Sequence, residues 1–470
     1  MKKTLNMILA AVMVLSLCAC GEKKAAETTA SATTEALTAS ETVTTEAPVT
    51  EAPETATAAP ETTAALMETA DIHEESVEVT EVEEVVEIPE YLDLLVTNVG
   101  ITAQAPDNSL VYTTTYPDVH FSETGAGDYE ALALSLAEDS RSLKELVEES
   151  GSEFTTSLGV YKDDPYFAGF SHDILGKVIR ADSRVVSIRH DYSGYRGGAH
   201  GDYSVLAYNY DAETGWPLSV SDVVTDTAAL TKVLAEKLKA IPDTEYFEDP
   251  ETALQNYAFD AGHNQKGKQL FSFSVGNEAM TFWFNPYELT AFAFGIQEVV
   301  LPYAEYPELF NKKYTTACEN YFEPVDTYVT LPAGNQEFSL SPVYNEYGNI
   351  GGLKIAVSGE EQVFDTFTYS VDPYLVKNQG NYYLYVFESG DDDERFLDVF
   401  DLSGGTAFVK RLPLNLYVEY DVYEAAGSTG ELHLSEARNT TYPLINPECF
   451  LLSGDGVSEY HVGGDGAPEK

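Results

Sequence analysis

The sequence predicts an α+β protein: two consecutive α+β subdomains, then a C-terminal all-β domain built as a sandwich or open barrel. The first observation behind this prediction is a stretch from Gly127 whose apolar residues recur at helical spacing on one face: Tyr129, Leu132, Leu136, Leu143 and Val147. That spacing is typical of an amphipathic helix, and Gly151 predicts its end. The second observation is that the chain beyond about Val325 holds only short aromatic and β-branched runs between turn residues, which is typical of antiparallel strands.

Between these regions the pattern alternates strands with one capped helix. Asp226 is placed to cap a helix that ends near Lys239. The predicted strands are 185–189, 203–210, 216–220 (the return strand of a turn at 211–215), 270–275 and 280–285.

The C-terminal strands predict a sandwich or a small open barrel. Residues 382–387 and 396–402 read as a hairpin around the acidic loop 391–394, and 412–422 and 430–434 supply further strands. About 145 residues are too few to close a ring of propeller blades. The acidic loop lacks the alternating ligand pattern of a calcium site, which favours a solvated turn.

The charge of the chain excludes some partners. The 470 residues include 26 Lys and Arg against 78 Asp and Glu, a formal net charge of −52. Nucleic-acid binding and adhesion to anionic lipid both need clustered basic residues, so neither is predicted. An acidic molecule instead attracts cationic partners.

The N-terminus predicts an extracytoplasmic lipoprotein. Lys2 and Lys3 precede a short apolar run from Leu5 to Leu17, and small residues then precede Cys20. This arrangement resembles a bacterial lipobox, which implies that residues 1–19 are a signal peptide and that Cys20 is acylated and anchored to the outer face of the cell membrane. The alternative is an ordinary secretory signal with incidental cysteines.

Residues 20–88 form a Thr/Ala/Glu/Pro-rich linker, which we expect to be disordered because it has too few apolar side chains to offset its ordering entropy. The folded region is divided into an N-terminal α+β subdomain (89–195), a second α+β subdomain (196–315) and a β-rich domain (325–470). Cys318 and Cys449 either pair or remain as buried thiols.

Two motifs carry a resemblance to a known family. The first is Tyr-Arg-Gly-Gly-Ala-His-Gly at 195–201, followed by Thr214-Gly215; the second is Phe-Trp-Phe-Asn-Pro-Tyr-Glu-Leu at 282–289, followed by Val-Val-Leu-Pro-Tyr at 299–303. Together they resemble the extracytoplasmic module of the RsiV anti-sigma factors, which is also the accessory region of PdaC-type peptidoglycan deacetylases. The resemblance covers Tyr91 to Asn311 and implies binding in the cell envelope, with a lysozyme-like cationic protein or peptidoglycan as partner. The chain lacks a cytoplasmic sigma-binding segment and a deacetylase domain, so signalling and deacetylation are not implied.

The candidate ligand-binding residues lie in and around these two motifs. They are Tyr192, Tyr195, Gly197, Gly198, His200, Tyr203, Trp283 and Tyr287. Aromatic side chains can anchor a ligand, and glycines let the backbone approach one closely. The alternative is structural: a tight connection for the Gly-rich stretch, a satisfied His200, and Trp283 filling the seam with the neighbouring helix. His190 and His200 have no third spaced ligand, so no metal site is predicted.

No hydrolase elbow, zinc-protease motif, phosphate-binding loop or dinucleotide fingerprint occurs, and no cofactor is predicted. We therefore expect a non-catalytic surface lipoprotein that binds an envelope-associated ligand. The alternatives are a scaffold that presents its C-terminal β domain to a protein partner, or a cell-wall hydrolase whose carboxylates spacing cannot assign.

Overall fold

The computed structural model describes residues 87–122, 126–161, 167–260, 268–390, 395–413, 419–424, 432–441, 450–453 and 456–460. The predicted signal peptide, Cys20, the linker up to residue 86, the acidic loop 391–394 and Cys449 lie outside the described residues. Within the described ranges, no helix is both long enough and apolar enough to cross a membrane.

The first part of the chain contains five long strands and one long helix. In chain order these are β1 (Leu94–Gln104), β2 (Leu110–Phe121), α1 (Glu130–Tyr161), β3 (Phe170–Ala181), β4 (Val185–Tyr195) and β5 (Asp202–Asp211).

The second part mixes short helices and strands. They are α2 (Val220–Val223), α3 (Thr227–Lys239), α4 (Pro250–Ala253), β6 (Tyr257–Ala258), β7 (Gln269–Leu270), β8 (Ser272–Val275), β9 (Ala279–Phe284), β10 (Gln297–Pro302) and α5 (Lys312–Thr315). Two single 3-10 turns cover Leu254–Asn256 and Phe292–Phe294.

The third part is described as strands only. They are β11 (Tyr321–Pro324), β12 (Thr330–Ala333), β13 (Gln336–Tyr344), β14 (Ile350–Val357), β15 (Glu360–Thr368), β16 (Ser370–Asn378), β17 (Asn381–Ser389), β18 (Arg395–Asp401), β19 (Ala407–Pro413), β20 (Glu419–Glu424), β21 (His433–Thr441), β22 (Phe450–Ser453) and β23 (Gly456–Tyr460). The mixed α+β class is confirmed.

A seven-stranded sheet with order β20-β21-β1-β2-β3-β4-β5 forms the first layer. Only β2 and β3 are parallel, and α1 supplies the crossover that a parallel pair requires. Helix α1 packs on the sheet through Leu132, Leu136, Leu143, Val147 and Phe154.

Helix α1 does not end at Gly151, as the sequence predicts, but continues to Tyr161. A Cβ at residue 151 would lie 3.0 Å from the Tyr112 hydroxyl oxygen, so glycine here lets the Tyr112 ring of β2 approach the helix. Buried Phe154 then holds the next turn on the sheet. Packing thus outweighs the modest helix penalty of one glycine.

A three-stranded sheet with order β10-β9-β8 lies on the opposite side of the seven-stranded sheet from α1. The two sheets are joined by hydrogen bonds: Asn209 Nδ2 donates to the Phe273 carbonyl (2.7 Å), and the Val275 amide donates to Ser187 Oγ (3.2 Å). Every residue of β9 is buried, because α3 and its neighbours cover the second face of this sheet.

Two predictions for this part differ in detail from the structure. Helix α3 confirms the predicted helix, and Asp226 caps it by accepting from the Ala228 and Ala229 amides (3.0 and 2.9 Å). The predicted return strand 216–220 is reduced to one bridge between Tyr210 and Pro217, because a helix begins at Val220. Leu270 belongs to β7 rather than to the strand that follows it.

The third part contains a two-sheet sandwich. A five-stranded sheet (β11-β16-β17-β18-β19) faces a four-stranded sheet (β12-β13-β14-β15) across a common apolar core that includes Phe338, Leu353, Ile355, Leu384 and Phe400. The predicted hairpin is present as β17 and β18. Cys318 is a buried free thiol at the edge of this core.

The last strands return to the beginning of the chain. We expected residues 325–470 to form one β domain, but β21 pairs antiparallel with β1, from His433 opposite Gln104 to Thr441 opposite Val96. β20 then pairs with β21. The physical reason is that β1 would otherwise present an unpaired edge, and a returning strand satisfies its backbone groups.

Arg180 on β3 connects three segments of the fold. Its side chain is 1% exposed and forms an ion pair with Asp182 (2.6 Å). Its remaining N–H groups donate to the carbonyls of Gly276 (3.1 Å), Tyr314 (2.6 Å) and Thr316 (2.7 Å). One guanidinium therefore holds together the first sheet, the β8–β9 turn and the connection to the sandwich.

We expect Arg180→Met to lower the free energy of unfolding by about 3–5 kcal/mol, because it leaves Asp182 buried without its counter-charge. Urea unfolding at neutral pH measures this loss. Arg196→Met, at a side chain 48% exposed, is the control and should change stability by less than about 0.5 kcal/mol. A loss below about 1 kcal/mol for Arg180→Met would contradict the role given to this residue.

Glu323 on β11 makes the contact between sandwich and β8–β9 turn sensitive to pH. Its Oε2 accepts from the Asn277 amide (3.1 Å) and from Asn277 Nδ2 (2.9 Å). Burial against the turn raises its pKa from 4.5 to about 7, although the Asn277 donors oppose the rise. The folded protein therefore holds this proton more tightly than the unfolded chain does.

The protonated Glu323 side chain adds to the free energy of unfolding. This contribution is fully present below about pH 4 and is lost as the pH rises through about 7. We expect Glu323→Gln, which stays neutral, to reduce the fall in unfolding free energy between pH 5 and pH 9 by about 2 kcal/mol. Urea unfolding across that range measures it. Glu337→Gln, at an exposed position of β13, should keep the wild-type slope, and an unchanged slope in Glu323→Gln would contradict the prediction.

Candidate functional site

Four aromatic rings meet on the surface between the start of β5 and the segment that follows β9. The His200 ring stacks on Phe292 with centroids 4.3 Å apart, Tyr203 meets Phe292 edge-on at 5.1 Å, and Tyr287 lies 5.8 Å from it. Tyr287 is 61% exposed and Tyr203 is 37% exposed. We call this group, His200, Tyr203, Tyr287 and Phe292, the aromatic cluster.

Tyr287 is held in a strained backbone conformation. Its φ of +70° lies in the left-handed region, which is rare for a bulky side chain. The turn is closed by the Tyr287 amide, which donates to the Thr290 carbonyl (2.9 Å). Such strain costs on the order of 1 kcal/mol and persists where the surrounding structure fixes it, often at functional positions.

Asn285 is the residue that fixes this turn against β5. Its Oδ1 accepts from the Val205 amide (2.7 Å), and its Nδ2 donates to the Val205 carbonyl (3.1 Å). The same Nδ2 reaches Glu288 Oε1 (3.3 Å), and Glu288 Oε2 accepts from the Tyr257 hydroxyl (2.9 Å). Because Val205 lies two residues beyond Tyr203, one amide side chain sets the separation of the two tyrosines.

The polar groups of the cluster are few. His200 is exposed, and its Nδ1 lies 2.9 Å from the Gly201 carbonyl and donates to it. Tyr203 Oη lies 3.5 Å from the Phe292 carbonyl. Rings that stack and cross at fixed angles, with little charge among them, suit contact with another flat or cationic surface.

The Gly-rich stretch beside the cluster is shaped by packing. Gly197 has a φ of +88°, and a Cβ there would lie 2.4 Å from the Tyr161 ring at the end of α1. Tyr195 Oη donates to the Gly198 carbonyl (3.1 Å) and closes the loop. A Cβ at Gly198 would meet no heavy atom within 4 Å, so that residue borders open space.

Trp283 lies apart from the aromatic cluster and is only 4% exposed. It occupies the face of β9 opposite Phe282 and Phe284, as the strand pattern predicts, and the Arg189 guanidinium covers its ring at 5.0 Å. Arg189 also pairs with Asp191 (2.6 Å) and with Asp326. Trp283 is therefore placed in the seam between the two sheets.

Tyr192 and His190 contact rings outside the cluster. Tyr192 is half-buried near the His172 and His190 rings, and burial together with the Tyr208 hydroxyl raises its pKa. His190 is 2% exposed, and burial lowers its pKa to about 4, so the ring is neutral at physiological pH. No group of three or more metal-ligating side chains occurs within the described ranges.

The structure thus brings together three of the predicted residues, His200, Tyr203 and Tyr287, and adds two that the sequence reasoning missed. Phe292 is the centre of the cluster, and Asn285 positions it. Both lie in or just after the 282–289 motif, so the motif was the feature of the sequence that could have indicated them. No spacing rule, however, shows which aromatic residues of this segment are exposed.

Comparison with known proteins gives a family match that overlaps part of this region. Residues 221–304 match a family model described as "Protein of unknown function (DUF3298)". The matched segment contains Asn285, Tyr287 and Phe292, whereas His200 and Tyr203 precede it.

Two crystal structures of DUF3298 family proteins are similar to the chain. The protein from Bacteroides fragilis is 21% identical, with a TM-score of 0.35, over 48% of this chain and 96% of its own. The protein from Pseudomonas aeruginosa is 16% identical, with a TM-score of 0.29, over 47% of this chain and 96% of its own. No curated protein matches the chain.

The strain at Tyr287 has a measurable consequence. We expect Tyr287→Gly to be about 0.5–1 kcal/mol more stable than Tyr287→Ala, because glycine accepts a positive φ without the Cβ penalty. Urea unfolding of the two variants measures the difference. The same pair at Tyr347, an exposed turn residue outside the set of positive-φ positions, is the control and should not favour glycine. Equal stability of the two Tyr287 variants would contradict the strained turn.

Proposed function

We propose that this protein is a non-catalytic surface lipoprotein whose aromatic cluster binds an envelope-associated ligand, either a lysozyme-like cationic protein or peptidoglycan. The observation that carries the proposal is the cluster itself: exposed rings at fixed mutual angles, one of them on a strained turn. Exposed large aromatic side chains are enriched in binding surfaces, and a rigid arrangement lowers the entropy lost on binding.

The charge of the chain supports a cationic partner. A formal charge of −52 raises the local concentration of a basic protein and speeds its encounter with the surface. The rings of Tyr203 and Tyr287 then offer their faces to Lys or Arg side chains of that partner. Peptidoglycan would use the same rings differently, by stacking its sugar rings on them.

The predicted location of the protein agrees with such a ligand. Acylation of Cys20 and a long acidic linker would place residues 87 onward outside the cytoplasm, on the outer face of the bacterial cell membrane. The resemblance to the RsiV-like module, drawn from the 195–201 and 282–289 motifs, supports the same function. Both motifs contribute to the aromatic cluster, through His200 and through Tyr287.

Binding of the purified chain to hen lysozyme and to isolated peptidoglycan at low salt tests the proposal. We expect one of the two to bind, and we expect Tyr287→Ala and Phe292→Ala each to weaken binding by about 10-fold, as loss of a central aromatic contact does. Tyr347→Ala, at a tyrosine 80% exposed in the sandwich, is the control and should leave affinity unchanged.

Two results would overturn the proposal. The first is wild-type affinity in both cluster variants, which would place the ligand elsewhere. The second is release of muropeptides from peptidoglycan by the purified protein, which would make it a hydrolase.

A further inference from the structure

An exposed tryptophan lies beyond the other end of β5. Trp216 follows the 211–215 turn and is 74% exposed, whereas the other tryptophan of the chain, Trp283, is buried. Tryptophan is highly buried on average in folded proteins, and an exposed apolar patch, as opposed to a single exposed side chain, often marks an interaction site. Nothing in the aromatic cluster uses it.

The backbone that carries Trp216 is locked against α1. Gly215 has a φ of +69°, and a Cβ there would lie 2.6 Å from the Ala131 backbone carbonyl. Ser135 Oγ donates to the Gly215 carbonyl (2.7 Å). Leu134, the neighbour of Ser135 on the helix, is 68% exposed. A fixed turn and the first turns of α1 therefore present Trp216 and Leu134 from adjoining backbone.

An acidic groove is lined by the same turn that carries Trp216. It has a volume of about 390 Å³, and Glu213 of the same turn and Asp128 and Tyr129 just before α1 line it. Glu87 and Glu90 line its other side, together with Arg184. Four carboxylates thus face one guanidinium, so the groove carries an excess of negative charge.

We propose that the surface formed by Trp216, Leu134 and this groove binds a cationic extended segment of another protein. An apolar side chain of the segment would cover Trp216 and Leu134, and a Lys or Arg next to it would enter the groove. Charge complementarity selects this occupant: an anionic peptide and an anionic lipid surface are both repelled by the groove carboxylates.

The surface is separate from the aromatic cluster. Tyr203 lies near the beginning of β5 and Asp211 at its end, so about 27 Å of strand separates the two sites. They share no residue. The proposal therefore stands independently of the function assigned to the cluster.

Tryptophan fluorescence of the purified chain tests the proposal with a defined probe. The probe is an eight-residue peptide of alternating Lys and Leu, and peptides of alternating Glu and Leu or Lys and Ser are its comparisons. We expect only the Lys/Leu peptide to shift the Trp216 emission to shorter wavelength and to shield it from acrylamide quenching. We also expect its affinity to fall about 10-fold between 25 and 250 mM NaCl, because the attraction is screened.

Substitutions test whether the peptide binds at this surface or elsewhere on the molecule. Leu134→Ser and the double variant Glu213→Gln/Glu90→Gln should each lower the affinity for the Lys/Leu peptide by at least about 5-fold. The matched controls are Val160→Ser, about 39 Å along the same helix at a side chain 79% exposed, and Glu145→Gln, also exposed on α1. Both should bind as the wild type does, and so should Tyr287→Ala.

Three results would overturn the proposal. One is no shift of Trp216 emission with the Lys/Leu peptide; another is equal binding of the Glu/Leu peptide. The third is a shift of the emission with vesicles of phosphatidylcholine and phosphatidylglycerol, which would make the patch a membrane contact.

Discussion

The buried guanidinium of Arg180 is the interaction on which the arrangement of this molecule depends. A charge removed from water is costly unless its donors find partners, and the four hydrogen bonds of Arg180 go to three separate segments of the chain. The β8–β9 turn and the connection beyond α5 must therefore both reach β3 before the charge is satisfied. This requirement selects one relative placement of the sheets, whereas apolar contacts alone would accept several.

The sandwich is attached through the same kind of contact. Glu278 accepts from the hydroxyls of Tyr321 (2.7 Å) and Tyr382 (2.8 Å), and Glu323 packs on the same turn. Polar groups at such a junction fix orientation more than they add stability, because each pair first loses its hydration. Together with Arg180 they make the β8–β9 turn the meeting point of the three parts.

Local sequence predicted the elements well where periodicity and capping agree. The helix after Asp226 and the hairpin now seen as β17 and β18 are examples. The predictions failed where distant residues decide the outcome. Helix α1 continues past Gly151 because the absence of a side chain there lets Tyr112 pack closely and Phe154 holds the next turn on the sheet. β21 is not part of the sandwich because it pairs with the edge of β1. The aromatic cluster was predicted in part for the same reason. His200 and Tyr287 were identified as motif residues, but whether Phe292 or Trp283 lies at the surface depends on which face of each segment the rest of the fold covers.

The pairing of β21 with β1 has a mechanical consequence. β1 is the first long strand after the N-terminal segment, and it lies between β2 on one side and β21 on the other. A pulling force applied through that segment loads an interior strand along its axis. Hydrogen bonds to both neighbours must then shear together, whereas an edge strand would be held by one neighbour alone. The pairing of β21 with β1 thus increases the force that β1 can bear before it detaches from the sheet.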